Sequence, residues 1–152
     1  MAIDRFDWHY DDALKGYCER EKKDPKTLTD DETDLVCRYA SAHIGLFIDW
    51  LYAHDYFGAE SDTESAQLVK EHKMTGTDYL MNCCDGKFWD VDVDERLHPV
   101  IEDFYSDYLG AFGEILEALD KDCYGFIEAE SDYPVAEKVI DKVFEKYSGK
   151  VK

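Results

Sequence analysis

Between Leu35 and His54, the side chains of Leu35, Val36, Tyr39, Ala40, His43, Leu46, Phe47, Trp50, Leu51 and His54 recur at steps of three and four. That spacing places them along one face of an α-helix. Thr29-Asp30-Asp31-Glu32 stands just ahead of the run. It has the spacing of a capping box, in which the threonine oxygen accepts from the third helical amide while the glutamate reaches back. Together they predict one long helix from about 30 to 54. Gly45 interrupts it at a cost of about 1 kcal/mol relative to alanine, a cost that signals close packing against a neighbour.

The remaining elements are shorter. A helix is expected over 11–22, with Leu14, Tyr17 and Cys18 on one face, ending before Pro25. Ser61-Asp62-Thr63-Glu64 repeats the capping-box pattern and opens a helix to about Lys73. Thr77 can cap a short helix, Asp78 to Cys84, that stops at Gly86. Phe88 to Val93 reads as an extended run with Asp90, Asp92 and Asp94 on one face. Pro99 suits the first turn of a helix through Leu119, with Gly110 and Gly113 as places where it would break. Cys123 to Ile127 is expected to pair with the first extended run. A last helix follows Ser131 or Asp132 and runs to Tyr147. The fold class is therefore mainly α (α+β): five or six helices in a single domain, 1–152, with at most a small two-stranded sheet. A chain of this length buries roughly 68–70% of its open-chain surface, enough for a core without disulfides or a structural metal.

The 36 Asp and Glu outnumber the 17 Lys and Arg, for a formal net charge of -19. Such a surface repels nucleic acid and anionic lipid and attracts basic surfaces. The five cysteines, Cys18, Cys37, Cys83, Cys84 and Cys123, contain no C-x-x-C spacing, so neither a zinc ribbon nor a redox motif is encoded. An odd number of thiols, partly on helical faces, is expected in a reducing cytoplasm. The first residues lack the apolar run of a signal peptide, and no stretch approaches 18 apolar residues.

Motifs for chemistry are sparse. Asp90-x-Asp92-x-Asp94 begins like an EF-hand loop, but Glu95 and Ile101 stand where that loop needs glycine and a bidentate glutamate. Glu95-x-x-His98 occurs once, directly before Pro99, whereas a di-iron bundle needs it twice. No G-x-S-x-G, phosphate-binding glycine loop or H-E-x-x-H is present. His43 and His54 are three helical turns apart on one face, and with His9 they make an alternative three-histidine metal site. Tyrosine occurs 11 times; tyrosines exposed among carboxylates suit recognition of arginine-rich surfaces.

Phe6-Asp7-Trp8-His9-Tyr10, His43-Ile44-Gly45-Leu46-Phe47-x-x-Trp50, Met74-Thr75-Gly76, Asp85-Gly86-Lys87 and Phe104-Tyr105 with Tyr108-Leu109 follow one another in this order. Together they resemble a family of small, uncharacterised bacterial proteins over about residues 6–147. No catalytic residues come with the resemblance. By analogy, acidic proteins of this size and type act as immunity partners of toxins.

Three functions follow as expectations. The first is a non-catalytic immunity or inhibitor protein that blocks a basic protein partner, with no cofactor. Its contacts are expected at Asp90, Asp92, Asp94 and Glu95, then Glu128, Glu130 and Asp132. The second is a small metal-dependent hydrolase or metal-binding protein using His9, His43 and His54. Here Asp7, Trp8, His9, Tyr10, His43, Asp49, Trp50 and Lys87 are expected to line a pocket in which His9 and His43 share hydrogen bonds with Asp7 or Asp49. The third is a DNA mimic with carboxylates spaced like backbone phosphates.

Overall fold

In the computed structural model, which describes residues 1–151, the chain runs β1 (Ala2–Arg5), α1 (Tyr10–Glu21), α2 (Asp30–Tyr39), α3 (Ala42–Ala53), α4 (Thr63–Lys70), α5 (Gly76–Cys83), β2 (Lys87–Trp89), α6 (Ile101–Leu119) and α7 (Tyr133–Phe144). The mainly α class with one small sheet holds. There are seven helices among the described residues because the long one expected over 30–54 is two, α2 and α3. The break has a local cause. The Ser41 hydroxyl takes the Cys37 carbonyl at 2.7 Å. The Ser41 amide turns instead to Arg38, three residues back, at 3.1 Å. Serine bonding back into the preceding turn bends a helix, and the bend frees α3 to enter the core while α2 stays amphipathic.

α3 is buried from Ala42 through Tyr52, the signature of a helix surrounded by protein on all sides. Phe47 packs its ring against Phe104, Tyr105 and Tyr108 of α6, with centroids 4.9 Å away in each case. Trp50 meets Phe144 of α7 at 4.8 Å. On the opposite side α3 and α5 touch backbone to backbone. A Cβ on Gly45 would lie 2.0 Å from Thr77 Oγ1, and one on Gly76 would lie 1.9 Å from the Gly45 carbonyl oxygen. α1 and α2 form a satellite cluster around Ala13, Tyr17, Val36 and Ala40. The capping box at Thr29 and Glu32 is formed.

Several local expectations change. α6 runs unbroken for 19 residues, since Gly110 and Gly113 face open space. α5 is capped by Thr75, which accepts from the Asp78 amide, and α4 by Asp62. The sheet partner differs too: β2 pairs antiparallel with β1 at the N-terminus. The segment 123–127 forms no strand, because Tyr124 sits in the left-handed region at φ 55°. Asp90, Asp92 and Asp94 do not share a strand face either, because the chain coils there into two short 3-10 turns, Asp90–Asp92 and Glu95–Leu97. No described helix is long and apolar enough to cross a membrane.

The glycine contact yields a paired prediction for urea unfolding. Gly45→Ala should lose roughly 2–3 kcal/mol through overpacking against α5. Gly113→Ala, with nothing within 4 Å of its Cβ, should gain up to about 1 kcal/mol from helix propensity. Equal effects at the two positions would show that α3 and α5 do not depend on the close crossing.

Candidate functional site

β1 carries a register shift between Ala2 and Asp4. Such a bulge re-aims a side chain; here Asp4 turns inward and is 2% exposed. The chain then reverses through a 3-10 turn, Phe6–Trp8, which brings His9 back over Asp4. His43, in the first turn of α3, arrives from the core side. His9 Nε2 lies 2.6 Å from Asp4 Oδ1, and His43 Nε2 lies 3.2 Å from Asp4 Oδ2. The two Nε2 atoms are 3.2 Å apart, with the rings edge to face.

A second layer fixes this cluster. Tyr105 of α6 donates its hydroxyl to Asp4 Oδ2 at 2.5 Å, and the Arg5 amide donates to Asp4 Oδ1 at 2.7 Å. Tyr124 Oη stands 2.6 Å from His9 Nδ1, and Tyr108 donates to the His43 carbonyl. Burial alone would raise the Asp4 pKa, but hydrogen bonds from His43, His9 and Tyr105 hold it well below the usual carboxylate range. Burial lowers the His43 pKa more than Asp4 raises it. The contact between them is therefore a neutral imidazole on a carboxylate. Burial also pushes the Tyr124 phenol up to about 12, so it stays protonated at neutral pH.

Asp4, His9 and Tyr105 face a cleft of about 370 Å³ whose walls include Ile3, Trp8 and Leu109. Trp8 is 57% exposed and Leu109 40%. The cluster is thus reached from outside across an apolar rim.

Other expected site residues lie apart. Asp7 is exposed and paired with Arg5 at 2.6 Å, and Tyr10 turns to the α1–α2 cluster. Lys87, on β2, sits opposite Arg5 in the sheet register. Trp50 donates to Asp141 of α7 at 2.8 Å. His54 stacks on Trp50 and bonds its carbonyl oxygen at 2.8 Å. Eleven residues of helix carry it about 16 Å beyond His43, so the three-histidine site does not form; Asp4 takes the third place. Asp4, Tyr105 and Tyr124 are the members that the sequence reading missed. A carboxylate beside Ile3 in a short N-terminal run is the one signal it offered.

Asp49 belongs to a different buried site. Its Oδ1 accepts from the Gly76 amide at 2.7 Å, while Oδ2 is buried and faces no donor. Glu128 approaches it, held by the Thr77 amide and hydroxyl at 3.1 and 2.8 Å. Burial, then the neighbouring Glu128 charge, raises the Asp49 pKa well above the ordinary value of 3.8, and burial raises that of Glu128. The pair therefore keeps a proton that the two carboxyls share.

The expected acidic contact faces are also altered. Asp92, Glu128 and Asp132 are buried, because Asp92 accepts from the Trp89 amide, Asp132 from the Ala129 amide, and Glu128 from Thr77. Asp90 pairs with the N-terminal ammonium and Asp94 with Arg96. Glu95 and Glu130 remain exposed.

A small, mainly helical domain with a buried His–Asp cluster under an apolar-rimmed cleft is thus the setting for any function. The chain belongs to the family of a domain of unknown function, DUF7832, whose family model matches residues 2–126. No curated protein and no solved structure matches it. The matched residues include Asp4, His9, His43, Tyr105 and Tyr124 and stop short of Glu128 and α7.

The protonated pair fixes a pH dependence. A carboxyl whose folded pKa is raised gives stability that is complete below the unfolded value and lost as pH rises through the folded one. Asp49→Asn keeps the Gly76 hydrogen bond without needing the proton. Its stability relative to wild type should grow as pH rises above the ordinary aspartate value of 3.8, measured by urea unfolding across the pH range. Asp49→Ala, which orphans the Gly76 amide, should instead lose about 1–3 kcal/mol at low pH, where the proton costs wild type nothing. An Asp49→Asn profile parallel to wild type would show that no proton is held.

Proposed function

We propose that the protein is a non-catalytic acidic interaction protein, of the immunity or inhibitor kind, which occludes a basic protein partner at the Trp8–Leu109 cleft. The observation that carries the reading is the placement of an exposed tryptophan on a strongly acidic surface. Only Asp4, Asp49, Asp92, Glu128 and Asp132 are buried among the 36 acidic side chains. The rest remain outside, Glu102 at the cleft itself and Asp103, Glu114 and Glu117 along the outward side of α6.

Interfaces derive most of their affinity from a few aromatic or arginine anchors seated in pockets inside a polar rim. Trp8 and Leu109 supply the apolar anchor, and Glu102 places a carboxylate beside it. Arginine and lysine on the partner would pair with the carboxylates, and the long-range field would steer association. Occlusion requires no chemistry from this chain.

The test is capture of a partner from cells of the source, at low and high salt, followed by titration of the identified protein. A basic partner should be held at low salt and weakened at high salt. Trp8→Ala should weaken it by about 2 kcal/mol, roughly 30-fold. Glu102→Lys should act mainly on the association rate. A partner that binds Trp8→Ala as tightly as wild type would remove the cleft from the interface and this reading with it.

A further inference from the structure

We propose that Asp4, His9 and His43 bind a divalent transition-metal ion, with Zn²⁺ or Fe²⁺ as the fitting class, and that the ion's remaining coordination position opens to the cleft. This goes beyond partner occlusion and does not rest on it.

The first argument is spacing. Ligand atoms of the three residues all lie within 4.8 Å of one another. Four ligands set tetrahedrally at about 2.0–2.1 Å from an ion stand roughly 3.3 Å apart. The Nε2–Nε2 and Nε2–Oδ2 separations around His43 are both 3.2 Å.

The second argument is convergence. His9 Nε2 lies on Asp4 Oδ1 at 2.6 Å and His43 Nε2 on Asp4 Oδ2 at 3.2 Å. With the ring hydrogens on the Nδ1 atoms, both Nε2 lone pairs and the carboxylate turn toward one point among them, and a cation there takes the place of the protons.

The third argument is the surrounding layer. Metal-bound imidazoles and carboxylates are oriented by outer partners. With His9 Nδ1–H donated to Tyr124 Oη, the Nε2 lone pair is directed inward. Tyr105 and the Arg5 amide hold the carboxylate oxygens in place. Two imidazoles and one carboxylate form a nitrogen–oxygen set suited to zinc or ferrous iron, whereas Ca²⁺ and Mg²⁺ prefer all-oxygen shells. The cleft reaches Asp4 and His9, so a water or a donor atom from a bound molecule can complete the shell.

The test uses the full chain without a histidine tag, titrated with Co²⁺ and Zn²⁺. Cobalt should give the visible bands of a low-coordinate site at one ion per chain, and zinc should displace it. Asp4→Asn and His9→Gln should abolish the bands, with folding checked by circular dichroism. Tyr124→Phe should weaken zinc about 10- to 100-fold as an outer-shell change. His54→Ala, remote from the cluster, should bind as wild type does. If wild-type protein gives no saturable cobalt spectrum, or if folded His9→Gln retains it, the assignment is overturned whatever the outcome for a protein partner.

Discussion

The structure depends on burying α3 on every side. A helix enclosed in this way must place each of its polar atoms against a partner, since an unpaired buried polar group costs about 1–3 kcal/mol. The partners it recruits tie the domain together. His43 meets Asp4 on β1, and Asp49 meets Gly76 at the start of α5. Trp50 meets Asp141 on α7, and the Tyr52 hydroxyl meets the Asp92 carbonyl in the turn after β2. The candidate metal cluster is one of these connections, and so is the Asp49–Glu128 pair. Both arise from packing a helix that still carries ionisable groups.

The two carboxylates that contact α3's surroundings are treated in opposite ways. Asp4 receives donors from two imidazoles, a tyrosine and an amide, which together outweigh its burial, so it stays charged. Asp49 has one amide donor and an acidic neighbour, so burial prevails and it keeps a proton. What differs is the balance of donors and nearby charge around each. A charged carboxylate beside two imidazoles is a ligand set, whereas a protonated carboxyl beside a second carboxyl is a structural clasp. This difference separates the two clusters functionally although both contain residues expected to line one pocket.

Much of the helical content was legible because it rests on local physics. The capping box at Thr29 and the apolar periodicity of α6 and α7 depend on residues near in sequence. The break at Ser41 was missed because the periodic pattern continues through it unchanged; only the serine hydroxyl's bond to Cys37 redirects the backbone. The sheet was misassigned for a different reason. Two short extended runs carry no label for each other, and β2 found its partner some 85 residues away at the N-terminus. At the site, the sequence marked His9 and His43 as candidates but supplied the wrong carboxylates, Asp7 and Asp49. A bulge in β1 and a helix direction decide which acid they meet.

The sequence by itself determined the helical class, most helix starts, the acidic surface and the two histidines, because charge, capping and periodicity are properties of neighbouring residues. Tertiary structure alone decided that Asp4, Tyr105 and Tyr124 close around those histidines. It also decided that Asp92, Glu128 and Asp132 leave the surface, and that Trp8 and Leu109 come together at one cleft. The physical reason is that these arrangements join β1, α3, α6 and the loop beyond it, whose approach is set by which faces the buried helix can cover and not by any local preference of the chain.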